Sequence, residues 1–308
     1  MTTADDMIRQ TANDLAWLVN SPSLLINHLS VPFKVAENLI DCFGRLSENT
    51  NINYRHLVKN AAPNFKAPPR VGRYLEALLQ FWFTTHEQTK VLASQIQIFD
   101  RNQTIGELDY LLESEHITVH VEAAVKYYLK IRKGESWLDF VGPNINDNLD
   151  NKISKLAQKQ LTLCHNPITR EQLGLDLQKN VTPIALTKGF LFYPRPEFAN
   201  EEFEVLPGVN PKHLRGWWET FASLRESAPE FSHRYAIVPK PHWLSFSPTL
   251  ATQSLPLSDL LDHIQSWWTE REVPLLIAEF DRNGSKTEKS RGFVVPDTWP
   301  EMAVSGVH

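Results

Sequence analysis

The sequence has only two cysteines, Cys42 and Cys164, in 308 residues, and they stand far apart. Without a paired cysteine spacing, neither a structural zinc site nor a disulfide framework is expected. That usage fits a reducing, cytoplasmic compartment. The chain also lacks a long apolar run. No stretch approaches the roughly 18 apolar residues that mark a membrane-crossing helix. The N-terminus, Met-Thr-Thr-Ala-Asp-Asp, lacks the basic start and apolar centre of a secretory signal. Strong charge of either sign is missing too. A formal net charge of -5 argues against bulk, non-specific coating of nucleic acid, while leaving room for a local basic groove. No glycine-rich phosphate loop, internal repeat or low-complexity tract is present. The expectation is a soluble, intracellular protein with no membrane partner. At 42% hydrophobic and 22% charged residues it has the composition of an ordinary packed core, and its length admits one large domain or two ordinary ones.

What is present is periodicity. Leu15, Ala16, Leu18 and Val19 form an apolar stripe that Ser21-Pro22-Ser23 ends, and a second helix is predicted over 35–46. Residues 47–69, rich in Asn and Pro, read as a connection and a domain boundary. Tyr74, Leu75, Leu78, Leu79, Trp82 and Phe83 have helical spacing, predicting a helix over 72–85. Strands are predicted over 90–100 and 104–112, joined by a hairpin turn at Asp100-Arg101-Asn102-Gln103. A third strand over 117–131 alternates almost perfectly. Ile117, Val119, Val121, Ala123, Val125, Tyr127 and Leu129 share one parity, and Thr118, His120, Glu122, Ala124, Lys126, Tyr128 and Lys130 the other. Period two predicts a half-buried strand with its polar side away from the core. A helix over 149–163 and an apolar strand over 181–193 follow. Beyond them come a helix (211–227), a strand (234–245), a helix (257–271) and a hairpin (275–295). The fold class is α/β, with a helical N-terminal region over 1–69, a core over 70–195 and an α+β region over 196–308.

The chemistry sits on the second and third strands. A Mg²⁺ or Mn²⁺ site for phosphodiester hydrolysis needs hard oxygen ligands, commonly one or two carboxylates, with phosphate and water completing the shell. Asp109 is the natural bridging ligand and Glu122 the second. Lys126 would orient the attacking water or offset charge building on phosphorus. Glu76, a carboxylate on an otherwise apolar stripe of that helix, would reach the site from above the sheet. Lys152, Lys155 and Lys159 fall on one predicted helical face, and Lys130 with Tyr127 and Tyr128 comes shortly before. This basic concentration suits a nucleic-acid backbone. Lys188 with Gly189 would edge the same cleft. His116 and His120 have a spacing that is not ligand geometry on a strand, which leaves His120 a supporting group. Trp217-Trp218 and Trp267-Trp268 are expected as packing residues of amphipathic helices.

Taken in order, the helix with Glu76, the strand with Asp109, the strand with Glu122 and Lys126, a helix and a strand resemble the PD-(D/E)XK nuclease superfamily, the restriction-endonuclease-like fold, over about 70–195. More closely, Gly-Arg-Tyr-Leu-Glu-Ala-Leu (72–78), Gly-Glu-Leu-Asp-Tyr-Leu (106–111) and His-Val-Glu-Ala-Ala-Val-Lys-Tyr-Tyr-Leu (120–129) resemble an uncharacterised bacterial family placed in that superfamily. Residues 14–25, 242–245 and 291–300 carry the same likeness. The resemblance implies an α-β-β-β-α-β core with a divalent-metal site. The chain departs from the superfamily motif twice. Leu108 stands in the place of the motif's proline, and three residues separate Glu122 from Lys126 where the motif has one. Same-face residues four apart lie roughly 13 Å apart along a strand, against roughly 6.6 Å for two apart. Small Ala124 between them leaves space for Glu122 and Lys126 to lean together over a metal. The expected function is Mg²⁺-dependent hydrolysis of DNA. The alternatives are hydrolysis of RNA or another phosphodiester, and a catalytically inactive nuclease-fold binding or scaffold protein.

Overall fold

The computed structural model describes residues 4–44, 56–58, 70–114, 117–133, 135–200, 204–226, 233–281 and 287–306. The expected connection over 47–69 lies outside these residues except for 56–58, which are helical, and His116 also lies outside them. No described helix is long and apolar enough to cross a membrane.

Helix α1 (Ala4–Asn20) buries Leu15, Leu18 and Val19, and α2 (Leu39–Phe43) starts where Asn38 accepts the backbone N–H of Asp41. The second helix is shorter than its apolar spacing predicts because the chain before it pairs with a strand. Ala36 N–H donates to Ala185 O at 2.8 Å, and Ala185 N–H donates to Lys34 O at 2.9 Å. Helix α3 (Val71–Thr85) buries the six apolar residues its spacing marks and turns Glu76 away from them.

Three strands follow: β1 (Thr89–Asp100), β2 (Gln103–Ser114) and β3 (Ile117–Lys130), each antiparallel to the one before. The short β4 (Phe140–Val141) pairs with the end of β3. Helix α4 (Leu149–Lys155) runs directly into a π-helical turn over Leu156–Gln160, and α5 (Pro167–Gln172) follows. Strand β5 (Val181–Pro194) then lies parallel to β3, from Thr118↔Val181 to Leu129↔Phe192. A parallel pair requires a crossover, and the crossover covers the sheet. This is why β3 departs from the half-buried strand expected of its alternation. Its polar parity is enclosed under α4, with Thr118, His120, Glu122, Ala124 and Tyr128 all buried. On the other face α1 and α3 pack Leu15, Leu75, Leu78 and Phe83 against Tyr110, Val121, Ile184 and Leu186.

The sheet continues past residue 195. After the short α6 (Arg195–Phe198), β6 (Leu214–Thr220) is parallel to β5, and α7 (Phe221–Glu226) follows it. Strand β7 (Arg234–Ile237), α8 (Pro248–Thr252), α9 (Leu257–Trp268), β8 (Leu275–Phe280), β9 (Glu288–Val295) and α10 (Trp299–Ser305) complete the described elements. The strand order is β1-β2-β3-β5-β6-β9-β8-β7, with β4 beside β3. The helix expected over 211–227 is therefore a strand and a short helix, and Trp217 and Trp218 are strand residues. Two glycines explain the difference. Gly216 pairs with Phe192, and Gly292 with Trp217. Each glycine leaves room for the partner's ring to lie flat on its backbone; a Cβ would stand 2.4 Å from the Phe192 ring and 2.0 Å from the indole. The strand expected over 234–245 ends at Ile237 because Pro239 has no N–H for the ladder.

One buried carboxylate ties α1 and the segment at Ser245 to α3. Asp14 accepts Tyr74 Oη–H at 2.9 Å, Gln10 Nε2–H at 3.1 Å, and both the N–H (3.1 Å) and Oγ–H (2.6 Å) of Ser245. Asp14→Ala strands these donors and is expected to lower stability by about 3 kcal/mol in urea unfolding. Gly292→Ala forces the Trp217 ring off the strand and is expected to lower stability by a similar ~3 kcal/mol with changed tryptophan fluorescence.

Candidate functional site

The site forms where β2 and β3 part. Their register runs from Ser114↔Ile117 to Tyr110↔Val121 and stops there. At the next position two side chains replace the ladder. Ala123 N–H donates to Asp109 Oδ2 at 2.8 Å, and Asp109 N–H donates to Glu122 Oε1 at 3.3 Å. Each strand's carboxylate thus satisfies the other strand's backbone, and both acids face the gap.

Glu122 is fully buried. Its Oε1 also meets His120 Nε2 at 2.9 Å, and its Oε2 accepts Gln160 Nε2–H at 2.6 Å. A carboxylate can only accept, so His120 donates through Nε2. His120 Nδ1 is buried with no hydrogen-bond partner among the described residues. Gln160 Oε1 in turn accepts Lys152 Nζ–H at 2.9 Å.

The electrostatics follow from burial. Burial first, and the facing Glu122 carboxylate second, push the Asp109 carboxyl up to about 7, while the Ala123 N–H works the other way. Burial and the neighbouring Lys126 charge bring the Lys152 ammonium down to about 8, against the upward pull of Glu122 and Asp109.

Glu76 lies beside the pair. Its Oε2 accepts Gln95 Nε2–H at 2.8 Å and Arg73 Nη1–H at 3.3 Å, and Tyr110 Oη–H donates to its backbone O at 2.6 Å. Burial raises the Glu76 carboxyl, and its charge adds to the upward push on Asp109. Gln95, on β1, falls between Ser94↔Tyr110 and Ile96↔Leu108, opposite Asp109 on β2, and adopts φ 50°. A left-handed non-glycine residue stores strain of order 1–3 kcal/mol, and such residues concentrate at functional sites.

The sequence-predicted residues divide. Asp109, Glu122 and Glu76 come together, and Lys152 joins them from the crossover helix. Lys126 turns elsewhere. Its ammonium pairs with Asp147, which also accepts Tyr128 Oη–H at 3.1 Å. The expected lean of Lys126 toward Glu122 is absent because Asp147, on the loop after β4, captures it. Lys130 pairs with Glu197 at 2.6 Å. Lys155 and Lys159 are exposed. The three lysines expected on one helical face separate: Lys152 turns to the carboxylates, and the π turn interrupts the α-helical spacing before Lys159. Lys188 does not edge the cleft. It is buried with Ile184 and Leu186 on the α1 side and donates to Ser21 O, and burial lowers it to about 8. Gln160 and Gln95 went unread in the sequence, which carries no motif for either.

Among the described residues no group of three or more His, Cys, Asp or Glu side chains is arranged to hold a metal ion. Asp109 and Glu122 are hard oxygen donors, the ligand type that Mg²⁺ and Mn²⁺ take. Two facing carboxylates raise the charge burden at one point, and such ions are commonly held by one or two carboxylates with water and phosphate. The raised Asp109 gives a testable consequence. Its folded-state value, about 7, lies above the ordinary 3.8. The folded protein therefore holds the extra proton between those values, and stability is lost as pH rises through the upper one. In chelator, the melting temperature is expected to fall as pH rises from about 4 to about 7 and to level off above that, Mn²⁺ should restore it near pH 7, and Asp109→Asn should remove the fall.

No curated protein matches the chain, and no solved structure matches it. A family model described as a domain of unknown function, DUF1853, matches residues 13–295, and the chain belongs to that family.

Proposed function

We propose that this protein hydrolyses phosphodiester bonds of DNA in the presence of Mg²⁺ or Mn²⁺, and that its core belongs to the PD-(D/E)XK superfamily. The observation that carries the reading is the Asp109–Glu122 pair at the parting of β2 and β3, with Lys152 one amide away. The order α3-β1-β2-β3-α4-β5, with the short β4 and α5 added in the crossover and β3 and β5 parallel, supports the superfamily placement.

Asp109 and Glu122 would hold the ion. When bound, it supplies charge neutralisation at the scissile phosphate and a water of lowered pKa. Asp109 must give up its proton to serve, so ion binding strengthens as pH rises through about 7. Lys152 takes the part first expected of Lys126: an ammonium beside the carboxylates that opposes charge building on the phosphoryl oxygens. Glu76, held by Gln95 and Arg73, keeps negative charge on the α3 side and limits where a phosphate can approach. Lys155 and Lys159 stand exposed on the helix that carries Lys152, and with Lys130 they would contact backbone phosphates away from the cleavage point.

A second reading keeps the fold without cleavage: a nucleic-acid-binding or scaffold protein. The Lys126–Asp147 pair favours it, since the lysine nearest Glu122 on its own strand is withdrawn.

Incubation of the purified protein with linear, circular and single-stranded DNA separates the two. Cleavage is expected with Mg²⁺ or Mn²⁺ and not with chelator. Asp109→Ala should abolish it, Lys152→Met should lower kcat about 100-fold or more, and Lys126→Met should change it by less than about threefold. Full cleavage by a folded Asp109→Ala protein would overturn the assignment. Metal and nucleic-acid binding without hydrolysis of DNA or RNA would select the scaffold reading.

A further inference from the structure

Among the described residues, Gln160 is the side chain whose hydrogen bonds link Glu122 to Lys152. Its amide donates to Glu122 Oε2 at 2.6 Å and accepts from Lys152 Nζ at 2.9 Å. The orientation is unambiguous on chemical grounds. A carboxylate needs a donor and an ammonium needs an acceptor, so only one setting of the amide serves both. The helix geometry that brings it there is unusual. Residues 156–160 form a π turn, which resets the helical phase between Lys152 and Gln160. Such turns are rare and recur at functional sites.

We infer that Gln160 is a positioning residue that spaces Lys152 from Glu122, so that the ammonium neither collapses onto the carboxylate nor occupies the oxygen an ion would use. The inference rests on the proposed metal-dependent reading. Glu122 is buried, and its Oε1 is already engaged by His120 and the Asp109 N–H. Oε2 is the oxygen with a single partner, and that partner is Gln160. Take the amide away, and Lys152, which stands on the far side of that amide, is a cation able to satisfy Oε2. A direct ion pair there would quench both groups, leaving the carboxylate less able to bind a cation and the lysine less able to meet a phosphate. An interposed amide avoids this because it is neutral and matches each neighbour with the opposite end of its dipole. Methionine has similar length but can do neither.

The test is Mn²⁺ binding by calorimetry in a two-by-two set: wild type, Gln160→Met, Lys152→Met and the double variant, with thermal melting confirming that each folds. Gln160→Ala replaces Gln160→Met if the latter does not fold. Gln160→Met is expected to weaken Mn²⁺ binding about tenfold or more in the wild-type background and by less than about twofold in the Lys152→Met background, where no lysine remains to collapse. Equal weakening in both backgrounds would mean that Gln160 only braces Glu122, and would overturn the spacing role. Wild-type affinity in Gln160→Met would overturn it too. Where cleavage is measurable, Gln160→Met should lower kcat with KM for DNA nearly unchanged. Mn²⁺ binding without hydrolysis removes the nuclease reading and leaves the spacing role standing on calorimetry. Absence of Mn²⁺ binding to the wild type at millimolar concentration overturns both.

Discussion

The exchange of hydrogen bonds between β2 and β3, in which Asp109 accepts the Ala123 N–H and Glu122 the Asp109 N–H, is the constraint on which the candidate site depends. Antiparallel strands normally satisfy each other through their backbones alone. Here β2 and β3 do so up to Tyr110 and Val121 and then hand the task to side chains. Asp109 takes the Ala123 N–H, and Glu122 takes the Asp109 N–H. The backbone ladder gives way to two carboxylates without leaving those N–H groups unpaired. That opening of the ladder is the candidate site, and it exists because acids stand at adjacent positions of neighbouring strands.

Holding the opening in place falls to the two faces of the sheet. Burying a carboxylate is unfavourable unless hydrogen bonds compensate for lost water. Glu122 meets that condition through His120, Gln160 and the Asp109 backbone. Asp109 meets it less completely, and its raised carboxyl records the deficit. On one side α3 is clamped to α1 and Ser245 through Asp14, which steadies the helix that carries Glu76. On the other, α4 and its π turn deliver Lys152 and Gln160. Beyond β5 the sheet continues through β6 and β9, where Gly216 and Gly292 admit the Phe192 and Trp217 rings against the backbone. A polar gap with a repulsive carboxylate pair needs a stiff surround, and the continuous sheet supplies one.

Much of the local architecture was legible in the residues. The apolar spacing of Tyr74 to Phe83 gave α3, the alternation of Ile117 to Lys130 gave β3, and Pro194 marked the end of β5, because these patterns depend only on backbone period. Asp109 and Glu122 could be paired for the same reason, as neighbours across a hairpin. Misreadings arose where a remote segment intervened. Residues 34–36 pair with β5 and shorten α2; the Gly292 backbone draws Trp217 into a strand; Asp147 captures Lys126.

The sequence by itself therefore determined the α/β class, the helix and three strands that open the sheet, and the placing of Asp109 and Glu122 on neighbouring strands. All of these follow from period and proximity along the chain. Which cation joins those acids was a tertiary decision. Glu122 and Lys126 share a strand, yet four residues of extended backbone place them too far apart to work together without help, and Asp147 supplies a nearer partner. Lys152 and Gln160 arrive from a crossover helix whose phase is set by a single π turn. Spacing along a strand cannot disclose a partner that comes from a different element, and that is the physical reason the lysine of this site could be read only in three dimensions.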